Sequence, residues 1–243
     1  MEDNKIGFCF DLDGTLINST EIGNKIEREI FSTFNIDIDE QTEKEIDELT
    51  YEIMHGENEK NLGRKLMWAI FKKLGLNFFQ RLRALYISAK IFKEENKKVQ
   101  LYNNVRDTLE FLEKNNCDYA ITTTSSEGEV ESRLSKFPEV YKKFDGKIIT
   151  RSDVQNLKPH PESINKASKI MNIPLKRFVM VGDLHSDILM GKHVDAITIA
   201  VLTGIFSKDQ FLEYEPDFII ESVANIPHIF DEILEKINSK NYK

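Results

Sequence analysis

Cysteine is nearly missing from this chain: of 243 residues only Cys9 and Cys117 carry a thiol, and they form no CxxC spacing. That scarcity excludes a disulfide framework and a cysteine-rich zinc site. Both thiols lie in or beside apolar runs, where a free cysteine behaves as a small core hydrophobe. A basic surplus is missing as well. Asp and Glu number 41 against 33 Lys and Arg, for a formal net charge of -8. No basic cluster offers the face that counterion release on a nucleic acid needs. No uninterrupted apolar stretch approaches the roughly 20 residues that span a bilayer. The amino terminus, MEDNKIGF, shows no basic start followed by an apolar run. A cytoplasmic protein is expected, with neither nucleic acid nor membrane as partner. Internal repeats and low-complexity linkers are absent too.

What is present is a chain long enough for a sizeable core, with a hydrophobic share of 40% that suits a soluble globular fold. Its most informative stretch is FCFDLDGTL at residues 8–16, an apolar strand that ends in two carboxylates, a glycine and a hydroxyl. Residues two apart in extended chain project the same way, so Asp11 and Asp13 can address one small site. Gly14 lets the backbone turn sharply, and Thr15 follows it. Two carboxylates so close repel one another and any anionic substrate, which calls for a cation beside them or a proton on one of them. Asp-x-Asp-Gly also occurs in calcium loops and ordinary turns. The EF-hand pattern, however, needs a further Asp or Asn before its glycine and a Glu at its twelfth position, and neither is here.

After Leu16 the periodicity becomes helical. Apolar Ile22, Ile26, Ile30 and Phe34 recur every four residues, predicting a helix over 21–34, and further helices are expected over 40–55, 58–74 and 78–97. No strand is expected between 18 and 97, so this stretch reads as an inserted all-helical cap domain, a lid over the reactive strand end; the plainer alternative is a separate helical bundle. Trp68, Ile70, Phe71 and Leu74 have helical spacing and read as its core. Strand and helix alternate from Val99 onward, with strands expected near 118–123, 147–150, 177–181, 196–201 and 217–220. Helices are expected over 105–115, 127–137, 161–171, 186–193 and 222–237. The fold class is therefore α/β: residues 1–17 and 98–243 form a Rossmann-like three-layer core around a mainly parallel sheet, and 18–97 the cap.

An open sheet of this kind binds ligands at its carboxyl edge, and polar stations gather there. Asp11 and Asp13 end the first strand. Thr123, Thr124 and Ser125 bring hydroxyl and backbone donors after another. Lys158, in KPHP, carries a point positive charge on a loop stiffened by Pro159 and Pro161, and Asp183 and Asp187 add oxygen ligands suited to a hard cation, preferably Mg2+.

These four stations, DLDGTL at 11–16, Thr123, Lys158 in KPHP and GDLHSD at 182–187, resemble in their order and separation the motifs of the haloacid dehalogenase superfamily. The inserted helices resemble the cap of the subfamily that contains phosphoglycolate phosphatases and β-phosphoglucomutases. By this resemblance Asp11 would attack phosphorus to form an aspartyl-phosphate. Asp13 would protonate the leaving oxygen and then deprotonate the hydrolytic water. Mg2+ would be held by Asp11, the backbone carbonyl of Asp13 and Asp183, with Asp187 orienting ligands. Gly14, Thr15, Thr123, Thr124 and Lys158 would hold the phosphoryl group. Leu184 stands where relatives often carry Ser or Thr, Thr124 where Asn is common, and Asn104 where Gly is common; none of these removes a charge the chemistry needs.

The expected activity is Mg2+-dependent hydrolysis of a small phosphomonoester, phosphoglycolate-like or a sugar phosphate. A dehalogenase would not need the acid at Asp13, and a β-phosphoglucomutase usually carries a histidine shortly after the first motif, where this chain reads NSTEIG at 18–23. A phosphomutase and a non-catalytic module that binds phosphorylated metabolites are the alternatives. His55 and Arg64 are candidates for substrate recognition in the cap, while His160 and His185 read as solvated loop histidines.

Overall fold

The computed structural model describes residues 5–54 and 62–240. In chain order it begins with β1 (Ile6–Phe10), β2 (Ile17–Asn18), α1 (Thr20–Phe34), α2 (Glu40–Met54), α3 (Leu62–Lys73), α4 (Phe78–Glu95) and β3 (Gln100–Leu101). There follow α5 (Val105–Lys114), β4 (Cys117–Thr122), α6 (Glu127–Leu134), α7 (Pro138–Lys143), β5 (Ile148–Ile149), α8 (Glu162–Met171) and β6 (Phe178–Gly182). The chain closes with α9 (His185–Lys192), β7 (Ile197–Val201), α10 (Lys208–Leu212), β8 (Phe218–Ile220) and α11 (Ile226–Lys240).

β1 reads IGFCF and is buried at every residue, as are β6 and β7. Unbroken apolar strands of this kind are what a parallel sheet covered on both faces requires. The six long-range strands form one sheet in the order β5-β4-β1-β6-β7-β8, every neighbouring pair parallel. α8 and α9 lie together on one face, where Ser163 Oγ is 3.1 Å from Met190 Sδ. α5 and α11 cover the other, joined by an edge-to-face pair of Phe111 and Phe230. This is the three-layer α/β architecture expected. Cys9 and Cys117 are both free and buried. The strand order runs outward from β1 in two directions, β4 then β5 on one side and β6 to β8 on the other. The carboxyl end of β1 is thus the switch point where such a sheet opens a crevice.

The chain divides into two compact units: Ser19–Val99 is one, and the chain on either side of it is the other. The described part of the first holds α1 to α4 around Ile30, Phe71, Leu76 and Ala84. α1 ends where Asn35 takes a left-handed backbone with φ 50°, a conformation asparagine tolerates better than most residues. α4 starts from a reciprocal cap: Asn77 Oδ1 accepts from Gln80 N at 3.0 Å, and Gln80 Oε1 accepts from Asn77 N at 2.8 Å. The insert leaves and re-enters the other unit through β2 and β3, antiparallel partners that pair Ile17 with Leu101 and Asn18 with Gln100.

Some boundaries differ from expectation for local reasons. The helix expected over 127–137 stops at Leu134, and Pro138, suited to the first position of a helix, starts α7. The helix expected from 222 begins as a 3-10 turn, Val223–Asn225, before α11 takes over. α10 is too short to show a period. No helix among the described residues is long and apolar enough to cross a membrane.

The sheet's dependence on its central strand can be measured. Phe8 is wholly buried, so Phe8→Ala is expected to cost about 3–5 kcal/mol, read as a lower urea midpoint; a loss under about 0.5 kcal/mol, the range of surface substitutions, would show that β1 is not the centre of the core.

Candidate active site

The backbone leaves β1 at Asp11, whose N–H still donates to Val181 O at 2.9 Å. It then turns tightly. Leu16 N and Ile17 N both donate to Leu12 O, at 3.0 and 2.9 Å, and Gly14 N donates to Ile17 O at 2.9 Å. Gly14 has φ +79°, a left-handed value that strains any residue with a Cβ. This loop holds Asp11 and Asp13 at the carboxyl edge of the sheet, beside Asp183, which directly follows β6.

Lys158, on the loop between β5 and α8, is only 4% exposed. Its Nζ donates to Asp11 Oδ1 at 2.6 Å and to Asp187 Oδ1 at 2.7 Å. Asp187 sits in the first turn of α9, where its Oδ2 also accepts from Leu184 N at 3.2 Å. Both of its oxygens are therefore engaged by the protein. Asp183 is buried, and its Oδ1 accepts from Thr15 Oγ1 at 3.3 Å. Two glycines enclose its carboxylate. A Cβ on Gly14 would lie 2.2 Å from Asp183 Oδ2, and one on Gly204 only 1.9 Å from the same atom.

Two buried carboxylates, Asp11 and Asp187, thus share one buried ammonium, and a third, Asp183, lies buried beside them without a direct bond to it. Burial, reinforced by Asp187 and Asp13 against the pull of Lys158, pushes the Asp11 carboxyl up to about 7. Burial and the charges of Asp11 and Asp187 raise Asp183 well above the usual carboxylate range. Burial alone would lower Lys158, but the two carboxylates on it outweigh that and hold it above its ordinary value. The site offers carboxylate oxygens, the donor type that a hard cation such as Mg2+ takes. Among the described residues no three Asp, Glu, His or Cys side chains form a ready metal-binding group. The buried carboxylates of Asp11 and Asp183 are the side chains at this edge that could hold such a cation.

Asp13 is held differently. Its Oδ2 accepts from Ser125 Oγ at 2.8 Å and from Arg133 Nη1, and the same Nη1 donates to Ser125 Oγ at 2.9 Å. Arg133 lies on the buried face of α6 with Val130 and Leu134. Sequence reasoning missed it, although an arginine at an apolar helical position signals a buried partner. Thr123 stands just beyond β4, its N–H on Ile149 O at 2.9 Å and its Oγ1 accepting from Ser125 N at 3.1 Å. Thr124 is half-buried between them.

Of the remaining expected residues, His55 lies outside the described residues, and Arg64 is exposed on α3. His160 is exposed, its Nδ1 accepting from Glu162 N at 3.3 Å. His185 is not a solvated loop histidine: it begins α9 and is buried, its ring 5.0 Å from that of Phe206 and 5.1 Å from that of Tyr214. The aromatic residues after β7 fold back onto it, a contact that lies some 20 to 30 positions away in sequence and is invisible to local reading.

The family model described as haloacid dehalogenase-like hydrolase matches residues 8–201. The chain belongs to that family. A curated relative, the pyrophosphatase PpaX of Bacillus mycoides strain KBAB4, is 29% identical over 228 residues, spanning 92% of this chain and 96% of its own. A crystal structure of a predicted phosphoglycolate phosphatase from Haemophilus somnus 129pt shares the fold with a TM-score of 0.70 at 20% identity, over 93% of this chain and 98% of that one. A conserved haloacid dehalogenase-like protein of Agrobacterium tumefaciens strain C58 aligns with a TM-score of 0.72 at 17% identity, over 95% and 100% of the two chains.

Two substitutions probe this geometry. Lys158→Met leaves Asp11 and Asp187 buried without their cation, and a loss of about 3–5 kcal/mol is expected, measured by denaturant unfolding without added metal; an unchanged midpoint would refute the buried pairing. Gly204→Ala forces the Asp183 carboxylate aside, and divalent-cation affinity, followed by Mn2+ titration, is expected to fall about 10- to 100-fold; undiminished binding would remove Asp183 from the cation site.

Proposed function

We propose that this protein is a Mg2+-dependent phosphatase that hydrolyses a small phosphorylated substrate through an aspartyl-phosphate on Asp11. The observation that carries the reading is the buried ammonium of Lys158 bridging Asp11 and Asp187, beside Asp183, at the switch point of the sheet. An unpaired carboxylate there would repel a phosphate by about 4 kcal/mol at 4 Å and an effective dielectric of 20. Bound Mg2+ supplies positive charge that polarises the phosphoryl oxygens. The chain's own residues perform the rest.

Asp11 attacks phosphorus and the bond to the leaving oxygen breaks, while Asp13 gives that oxygen its proton. In the second half a water attacks the same phosphorus and passes its proton to Asp13; the bond to Asp11 then breaks and inorganic phosphate departs. Lys158 and Thr123 hold the equatorial oxygens, over which charge spreads in the transition state. Asp187, with both oxygens engaged, keeps Lys158 in place and does not meet substrate.

The phosphomonoester reading draws on the full set of charged stations and on the fold shared with a predicted phosphoglycolate phosphatase. A second reading, hydrolysis of inorganic pyrophosphate, is favoured by the name of the curated relative that spans 92% of this chain. Both use the same nucleophile and differ in the leaving group.

The test is a panel of phosphoglycolate, sugar phosphates, p-nitrophenyl phosphate and pyrophosphate with Mg2+, on wild type and Asp11→Asn. Hydrolysis of at least one compound is expected, with turnover abolished in Asp11→Asn while its circular dichroism stays unchanged. Residual wild-type rates in that variant would overturn the nucleophile assignment, and an inert wild type would overturn the phosphatase reading in favour of a binding module.

A further inference from the structure

We infer that Arg133 is a positioning residue for the acid/base step, holding Asp13 together with Ser125 so that one carboxyl oxygen, Oδ1, is reserved for the proton. The inference rests on the phosphatase reading above and extends it to a residue outside the four stations.

The geometry is specific. Arg133 has a side chain only 6% exposed, against 29% for Asp13. Placing a guanidinium at that depth in α6 is unfavourable unless a carboxylate compensates it. Its Nη1 reaches both Asp13 Oδ2 and Ser125 Oγ, while Ser125 Oγ itself donates to Asp13 Oδ2, so the three groups close a triangle. Ser125 is anchored in turn: its N–H donates to Thr123 Oγ1 at 3.1 Å, and its carbonyl accepts Arg151 N at 3.1 Å. The loop after β4 and the buried face of α6 therefore set the rotamer of a side chain that belongs to the loop after β1.

Both donors converge on one oxygen. Asp13 Oδ1 is buried with no hydrogen-bond partner among the described residues; a buried polar atom left so is costly, and its presence calls for an explanation. A pair serving stability alone has no reason to load Oδ2 twice and leave Oδ1 bare. For proton transfer the asymmetry is suitable. In the acid form Oδ2 is the carbonyl oxygen, which accepts both donors, and Oδ1 carries the proton. During attack by Asp11 the Oδ1–H bond breaks, the proton goes to the leaving oxygen, and that oxygen keeps the electron pair of the broken P–O bond. During hydrolysis the proton of the attacking water returns to Oδ1. The same clamp serves both forms of Asp13 without rotating the side chain, the kind of pre-set geometry that misplacement by about 1 Å degrades heavily.

The experiment compares wild type, Arg133→Met, Arg133→Lys, Ser125→Ala and Asp13→Asn on β-glycerophosphate, whose alkoxide needs a proton, and on p-nitrophenyl phosphate, whose leaving group does not. Arg133→Met is expected to lower kcat on β-glycerophosphate by about 100-fold, the low end of what general acid/base assistance contributes, with KM nearly unchanged and a far smaller loss on p-nitrophenyl phosphate. Arg133→Lys should recover part of the rate. In an Asp13→Asn background, Arg133→Met should add little, since the two act as one unit. Equal losses on the two esters, a fully additive loss with Asp13→Asn, or wild-type rates in Arg133→Met would each overturn the inference while leaving the phosphatase reading intact. A wild type inert on both esters and on every compound of the panel above would overturn both together; one that acts only on another phosphomonoester of that panel is compared on that ester and its aryl analogue. Should Arg133→Met fail to fold, Arg133→Lys and Ser125→Ala carry the same comparison of esters.

Discussion

A single ammonium, that of Lys158, sits between two buried carboxylates, and the arrangement of the chain around it follows from the cost of putting those charges there. Asp11 ends β1, Asp187 opens α9, and Lys158 arrives on the loop before α8. Charges this deep are tolerable only when opposite charges meet them at hydrogen-bond distance. The parallel sheet makes such a meeting feasible, because the carboxyl ends of β1, β4 and β6 fall side by side along one edge. Any shift of register that moved β6 against β1 would separate Asp183 and Asp187 from Asp11, so the electrostatics and the strand pairing specify one another.

The neighbourhood of Asp183 is shaped by subtraction. Gly14 and Gly204 leave out the atoms that would collide with its carboxylate, and a short chain of hydrogen bonds keeps the two glycine segments in contact. Thr203 Oγ1 donates to Gly14 O at 2.6 Å, and Tyr102 OH donates to Thr203 O at 2.7 Å. Tyr102 also donates its N–H to Leu16 O at 3.0 Å. The residue that follows β3 thereby braces both loops around one side chain, and the Asp183 carboxylate inherits the stiffness of the sheet through it.

Much of this was legible in the sequence because the signals are local. The runs IGFCF, FVMVG and ITIAV announce strands buried on both faces, and Asp11, Lys158, Asp183 and Asp187 stand out as charges where apolar runs or stiffened loops end. What was not legible depends on contacts distant in the chain. Arg133 sits at an apolar position of its helix, but only the folded chain shows that the partner it meets there is a carboxylate 120 positions earlier. His185 reads as a loop residue until Phe206 and Tyr214 close over it. The helix expected over 127–137 ends just before Pro138, yet α6 stops three residues sooner, at Leu134, and α7 begins at the proline. Periodicity reports which face of an element is apolar. It does not report which distant group that face will meet.

The pairing of β2 with β3 places the exit and the return of the helical insert on adjacent strands. A segment tethered at one point by both ends can grow, shrink or be exchanged with little thermodynamic penalty, since closure entropy changes only with the logarithm of length. The charged groups at the end of β1 stay where the sheet puts them throughout such an exchange. Chain length is therefore cheapest to vary between Asn18 and Gln100, where neither the strand register nor the buried charge pairing has to be rebuilt.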